Sequence, residues 1–234
     1  MKNLFFDIET GPLPEAELLA MLPPFDPAEV KTGNIKDPAK IAEKLAEAAA
    51  NHKRDFIERA ALDPLTGRVV AIGVQIETPA FDRESGTVNR SLAGSEFQMI
   101  TYDDEAEILR AFWSHVRGDG TRLNTMIGFN SNQFDLPFLF RRSWKHGVQI
   151  PFGIRRGRYW NDQVIDIRDN WQLGDRMAKG SLGAIAKHLG LGEKSGSGKD
   201  FAALLASDRK AAEAYLKNDI DLTVKVANAL GVLA

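Results

Sequence analysis

The 234-residue chain contains no cysteine, which excludes disulfides, a thiolate metal site and a cysteine nucleophile. Any metal must therefore be held by Asp, Glu, His or backbone oxygens. No apolar run reaches the length of a membrane span, so no membrane partner is expected. The N-terminus has one Lys and a very short apolar run before acids appear, which is not the pattern of a signal peptide. These absences suit a reducing cytoplasm, the expected location. A basic excess is missing too: the net charge is −2, whereas a nucleic-acid binder usually declares itself by positive charge. The four His (52, 115, 146 and 188) are scattered, without metal-ligand spacing. Tyr occurs only three times.

What is present is 44% hydrophobic residues, enough for a sizeable core, and 26% charged residues. Residues 2–7 read as a first strand, broken by Gly11, Pro12 and Pro14. Residues 22–36, rich in proline, read as irregular. A long helix is expected from Asp37, a plausible N-cap with Pro38 at the first helical position. "GRVVAIGVQI" (67–76) and "FQMITY" (97–102) read as a hairpin across a polar stretch. "DEAEILRAFWSHV" reads as an amphipathic helix and "NTMIGFN" (124–130) as a short buried strand. A helix follows from about Asp135, and "QVIDI" (163–167) is a further strand. Three helices close the chain, at about 181–190, 200–206 and 208–230. Strands alternating with helices give an α/β class with a mixed sheet. One domain over 1–234, with a helical insertion at about 12–66, is the simplest organisation.

"NLFFDIET" (3–10) places two acids in an otherwise apolar strand. Residues i and i+2 share a strand face, so Asp7 and Glu9 project together from its end. Two ionised carboxylates side by side repel, and a divalent cation with a preference for oxygen is the natural compensation. Asp-x-Glu is a weak signal by itself. It recurs at Asp82/Glu84 in a polar loop and at Asp103/Glu105 at a helix start, where acids suit the dipole. Only Asp7/Glu9 ends an apolar strand. Two further stretches are "GFNSNQFDLPFL", where Asp135 could be a simple N-cap, and "YLKND", where Tyr215 and Asp219 share a helix face.

In this order, "FDIET", "GFNSNQFDLPFL" and "YLKND" resemble the three motifs of the DEDD superfamily of 3′–5′ exonucleases. Tyr215 marks the tyrosine subclass; the histidine subclass would carry His where this chain has Ala214. Asn-x-x-x-Phe-Asp-x-Pro is most similar to the proofreading exonuclease domain of family B DNA polymerases, and "LDPLTGRVVAIGV" (62–74) resembles that domain's second strand and its approach. The resemblance implies a ribonuclease H-like mixed sheet flanked by helices. It implies catalysis by Asp7, Glu9, Asp135, Tyr215 and Asp219, the four acids holding two divalent ions, Mg²⁺ or Mn²⁺. Asn130 and Phe134 would contact the terminal nucleotide. The implied substrate is single-stranded nucleic acid, DNA ahead of RNA, in DNA repair or proofreading. Because the chain ends at Ala234, a stand-alone enzyme is expected. An exoribonuclease and a non-catalytic nucleic-acid-binding relative are the alternatives.

The implied ions also meet the charge objection, since about −4 from four acids against about +4 leaves a site able to accept phosphate. "RRSWKHG" (141–147) and "GIRRGRYW" (153–160) combine Arg with aromatic rings, which suits either a nucleic-acid footprint or a solvated surface over core rings. "GEKSGSGKD" (192–200) fails the phosphate-loop pattern, since Glu193 and Asp200 stand where Gly and Ser/Thr are needed, and reads as a connector that leaves Lys199 free to meet a strand backbone. Asp166 is assigned a structural role, and Asp221 points away from Asp219.

Overall fold

The computed structural model describes residues 2–77, 80–82, 87–89, 96–120, 122–151, 154, 163–175, 177–196, 198 and 201–233. Its contacts divide the chain into two compact units, Met1–Glu9 with Val69–Ala234, and Thr10–Arg68.

The larger unit is built on a five-stranded mixed sheet in the order β5-β2-β1-β6-β7. Its strands are β1 (Asn3–Pro12), β2 (Gly67–Glu77), β5 (Gln98–Ile100), β6 (Thr125–Gly128) and β7 (Val164–Asp166). β6 lies parallel to β1 with Asn3 opposite Thr125, and β7 lies parallel to β6 with Met126 opposite Val164. β5 runs antiparallel to β2 with Ile72 opposite Ile100, the pairing expected from the sequence. The stretch between β2 and β5, read as a polar loop, carries a separate two-stranded ladder, β3 (Ala80–Asp82) with β4 (Thr87–Asn89).

β1 is a central strand covered on both faces, hence its continuous apolar run. Leu4, Phe6 and Ile8 pack into a cluster with Phe112 and Trp113 of α3 (Glu105–Arg117) and Leu136 and Leu139 of α4 (Asp135–Lys145). Phe5 faces the other way. It packs with Ile127, with Ile167 of α5 (Ile167–Gln172), with Ile185 of α6 (Leu182–His188) and with Ile220 of α8 (Arg209–Ala229). A period of two then assigns Asp7 and Glu9 to the α8 side. Gly11 and Pro12 do not end this strand, as the sequence suggested; it runs through them, so both acids lie inside β1 rather than at its end.

α8 earns its place by a stripe of buried positions, Ala212, Tyr215, Leu216, Asp219, Ile220, Thr223 and Val226, spaced three and four apart. Its N-cap Asp208 accepts from Ala211 N at 3.0 Å. It crosses β2 where Gly73 leaves room: a Cβ there would lie 2.8 Å from Leu216 Cγ. α7 (Phe201–Ser207) packs Phe201 against Tyr215, with ring centroids 5.8 Å apart.

On the opposite side sits a buried ion pair. Arg142 Nε and Nη2 donate to Glu105 Oε1 and Oε2 at 2.9 and 2.6 Å. Val69 N also donates to Oε1, at 2.8 Å, and His146 Nε2 lies 2.9 Å from Oε2. Burial works against the Glu105 charge, but the hydrogen bonds from Arg142, Val69 and His146 hold its carboxyl below the usual range. Glu105 stands in the first turn of α3, as the sequence indicates, and its buried pairing adds a second role. One sequence reading is corrected: Arg142, 1% exposed, cannot be part of a phosphate footprint.

The smaller unit contains α1 (Glu15–Met21), a 3₁₀ turn at Pro27–Glu29 and α2 (Pro38–Ala60). α2 begins as the sequence indicates, Asp37 Oδ1 accepting from Ala39 N at 2.9 Å. Leu13, Leu18 and Ala60 form its core with Phe56 and Ile57. α1 was not foreseen; Pro14 occupies its N-cap position and Glu15 and Glu17 its first turn.

Removing one partner of the Glu105–Arg142 pair strands a buried charge. Arg142→Ala should cost about 3–5 kcal/mol, read as a lowered urea midpoint. An unchanged midpoint would contradict the structural role given to the pair.

Candidate active site

Folding brings residues from distant parts of the chain to one cavity of about 680 Å³ in the larger unit. Asp7 and Glu9 arrive on β1 and Asp219 on α8, and one carboxylate oxygen from each lies within 4.8 Å of the others. Glu9 is 7% and Asp219 1% exposed, while Asp7 is half-buried. Asp135, 4% exposed, lies outside this trio but lines the same cavity. Its Oδ1 accepts from Ile8 N at 3.2 Å, between the two β1 acids in sequence. The helix N-cap is Phe134, without a side-chain cap, so Asp135 is the first residue of α4 rather than its cap.

The electrostatics follow from burial and proximity. Burial, with repulsion from Asp219, pushes Asp7 up to about 7 against the pull of Lys194. Burial, with repulsion from Asp7 and Asp219, pushes Glu9 up to about 9. Asp135 is raised well above the usual carboxylate range by burial and by Asp7. Burial also raises Asp219, against the lowering effect of Lys194 and Tyr215. The four acids cannot all be charged at neutral pH without added positive charge.

Lys194 supplies part of that charge. Its Nζ lies 2.7 Å from Asp219 Oδ2 and 5.7 Å from the Tyr215 ring centroid. Asp219 Oδ1, by contrast, is buried with no hydrogen-bond partner. An orphaned buried carboxylate oxygen beside two further acids is a donor set suited to a hard divalent cation. Tyr215 stands one helical turn before Asp219, its ring buried and its hydroxyl in the cavity. Burial, then the charges of Asp219 and Glu9, push that hydroxyl far above its ordinary value. Gly198 passes so close that a Cβ would lie 3.2 Å from Glu9 Oε2 and 3.4 Å from the Tyr215 hydroxyl.

Asn130 and Phe134 line the cavity beside Asp135. Phe134 is half-buried, its ring 5.7 Å from that of Phe138. Asp166 stands behind them: it accepts from Asn130 N and Asn132 N at 2.8 Å each and from Arg168 N at 2.9 Å. Those bonds give it the structural role the sequence suggested. Asp221 pairs with Lys217 at 2.6 Å on the exposed side of α8.

Other sequence candidates fare differently. Arg141 and Trp144 are exposed on α4. Apart from Ile154, which is buried, residues 153–160 lie outside the described residues, as does Lys199. Sequence reasoning missed Lys194 and Arg168. No motif marks them; only the fold places Lys194, within the stretch read as a connector, against Asp219.

Comparison with known proteins assigns the chain a family and a fold. The model of a family described as a predicted 3′–5′ exonuclease related to the exonuclease domain of PolB matches residues 64–224, and the chain belongs to that family. The matched stretch includes Asn130, Phe134, Asp135, Tyr215 and Asp219; Asp7 and Glu9 precede it. The structure of the family B DNA polymerase from the hyperthermophilic archaeon Pyrobaculum calidifontis is similar with a TM-score of 0.58 and 17% identity. That likeness covers 98% of this chain and 24% of the polymerase, and it is a likeness of fold: a ribonuclease H-like mixed sheet with flanking helices. No curated protein matches the chain. Among the described residues, no helix is long and apolar enough to cross a membrane.

The raised carboxyl values make stability depend on pH with a definite sign. Asp7 and Glu9 bind protons more tightly folded, up to about 7 and 9, than unfolded, near 3.8 and 4.5. As far as these groups are concerned, the stability of the metal-free protein is highest below about pH 4 and falls as pH rises from there toward about 9. The urea midpoint is expected to fall across that range. Glu9→Gln should flatten the profile; an identical slope in the variant would remove the cluster as its source.

Proposed function

We propose that the protein is a 3′–5′ exonuclease that hydrolyses nucleotides from the 3′ end of single-stranded DNA. Asp7, Glu9, Asp135 and Asp219 would hold two divalent ions, Mg²⁺ or Mn²⁺. The observation that carries the reading is the meeting of carboxylates from β1 and α8 within 4.8 Å, in a chain of a predicted exonuclease family. The raised carboxyl values and the unpartnered Asp219 Oδ1 support a cation as the missing partner. When bound, divalent ions supply such a site with charge to neutralise phosphate and with the means to activate water.

The chain's own groups do the rest. Asp7 and Glu9 are offered from a strand packed on both faces, so little ordering remains to be done on binding. In the metal-free protein, burial and the neighbouring acids push the Tyr215 hydroxyl up from its ordinary value. Its role is to hydrogen-bond and orient the attacking water. The Phe134 ring is available to stack on the terminal base, which every base permits. Lys194, its side chain 31% exposed, lines the cavity where a phosphate oxygen can meet it. We read residues 1–234 as one exonuclease domain, with 12–66 as an excursion from it.

Oligonucleotides labelled at either end, as DNA and as RNA, test polarity and sugar preference. With Mg²⁺ the 5′-labelled DNA should shorten stepwise and EDTA should stop it. Asp7→Ala should lower the rate by more than about 100-fold, beyond what outer-shell partners of a metal usually cost. A fully active Asp7→Ala protein would refute the assignment. Tyr215→Phe should lower kcat by about 10–100-fold with KM near wild type; a change confined to KM would show that Tyr215 binds substrate instead.

A further inference from the structure

Asn130 is held in a way the proposed reaction does not explain by itself. Its φ is +61°, in the left-handed region, where Asn is tolerated better than most residues but still at a cost. Three sets of bonds keep it there. Asp166 Oδ1 accepts its backbone N–H at 2.8 Å, and its carbonyl accepts from Gln133 N and Phe134 N at 3.1 Å each. Its side chain is fixed separately: Arg168 Nη1 lies 2.8 Å from Asn130 Oδ1.

The last contact decides which way the carboxamide points. A guanidinium carries donors and no acceptor, so the atom facing it must be the oxygen. The amide nitrogen is then turned from Arg168, and among the described residues it has no hydrogen-bond partner. Both Asn130 and Arg168 line the cavity that holds the four acids. Arg168 is itself anchored, since Asp166 accepts its backbone N–H at 2.9 Å and caps α5. One buried carboxylate thus fixes the backbones of both partners.

We propose that Arg168 is a positioning residue for substrate. By holding Oδ1, it forces Asn130 to present Nδ2 to the cavity as a donor only, ready for an acceptor atom of the 3′-terminal nucleotide. A carboxamide free to flip would offer donor and acceptor by turns and lose part of the binding. This rests on the exonuclease reading and adds a residue to it that touches neither the acids nor the scission point.

A double-mutant cycle tests the idea. Arg168→Ala, Asn130→Ala and the double variant would be compared with wild type for KM and kcat on a single-stranded oligodeoxynucleotide, and for its affinity by fluorescence anisotropy with Ca²⁺ in place of Mg²⁺. Thermal unfolding would verify that each is folded. Arg168→Ala should raise KM and the dissociation constant about tenfold, with kcat within about twofold of wild type. Arg168→Lys, which keeps one donor, should recover part of the loss. The double variant should be no weaker than Asn130→Ala, because an orienting contact has nothing left to orient. Additive losses would show that Arg168 meets the strand on its own, and an unchanged KM that it has no part in binding; either overturns the proposal. A wild-type protein that neither binds nor cuts any oligonucleotide overturns instead the exonuclease reading beneath it.

Discussion

The structure turns on a concentration of like charge. Three carboxylates share a few ångströms, a fourth lines the same cavity, and Glu9, Asp135 and Asp219 are buried. Left alone, such a group opposes folding, because burial and mutual repulsion both disfavour ionisation. The rest of the larger unit holds it together. β1 is fixed by apolar layers on both faces, α8 by its buried stripe, and α4 by a core containing Phe112, Trp113 and Leu139. The apolar packing keeps the acids close, and Lys194 offsets part of the strain.

The buried Glu105–Arg142 pair is the contrasting case. There, charge is also removed from water, but each oxygen of Glu105 has partners and the arginine is matched in a two-pronged geometry. One pair is satisfied and has nothing left to bind. The acidic cluster, by contrast, retains a buried carboxylate oxygen of Asp219 without a partner.

Much of this was legible in the chain, for identifiable reasons. Asp7 and Glu9 betray themselves because acids are rare in a run such as Leu4–Ile8. Asp219 and Tyr215 share a face by helical spacing alone. The hairpin of β2 and β5 and the long helices follow from alternation, caps and period. What escaped was set by tertiary contact. Glu105 is the helix-start acid it reads as, but its buried ion pair goes unseen because the partner, Arg142, is 37 residues away. Lys194 sits in a Gly- and Ser-rich stretch whose local chemistry says only that it bends. β1 was cut short at Gly11 and Pro12, though a strand can carry proline where no ladder donor is needed. α5 is six residues long, too short for a periodic signal.

Gly73 lies at a distance from the chemistry in sequence, yet α8 rests on it, with Leu216 and Ile220 filling the space a side chain would take. Tyr215 and Asp219 flank those contacts on the same helix. Adding a single methyl group at that point of the sheet would lift the helix by a fraction of its diameter and carry the hydroxyl and the carboxylate with it. The acids and the tyrosine would all be present in such a variant yet displaced, the lesion lodged in a β-strand rather than among them.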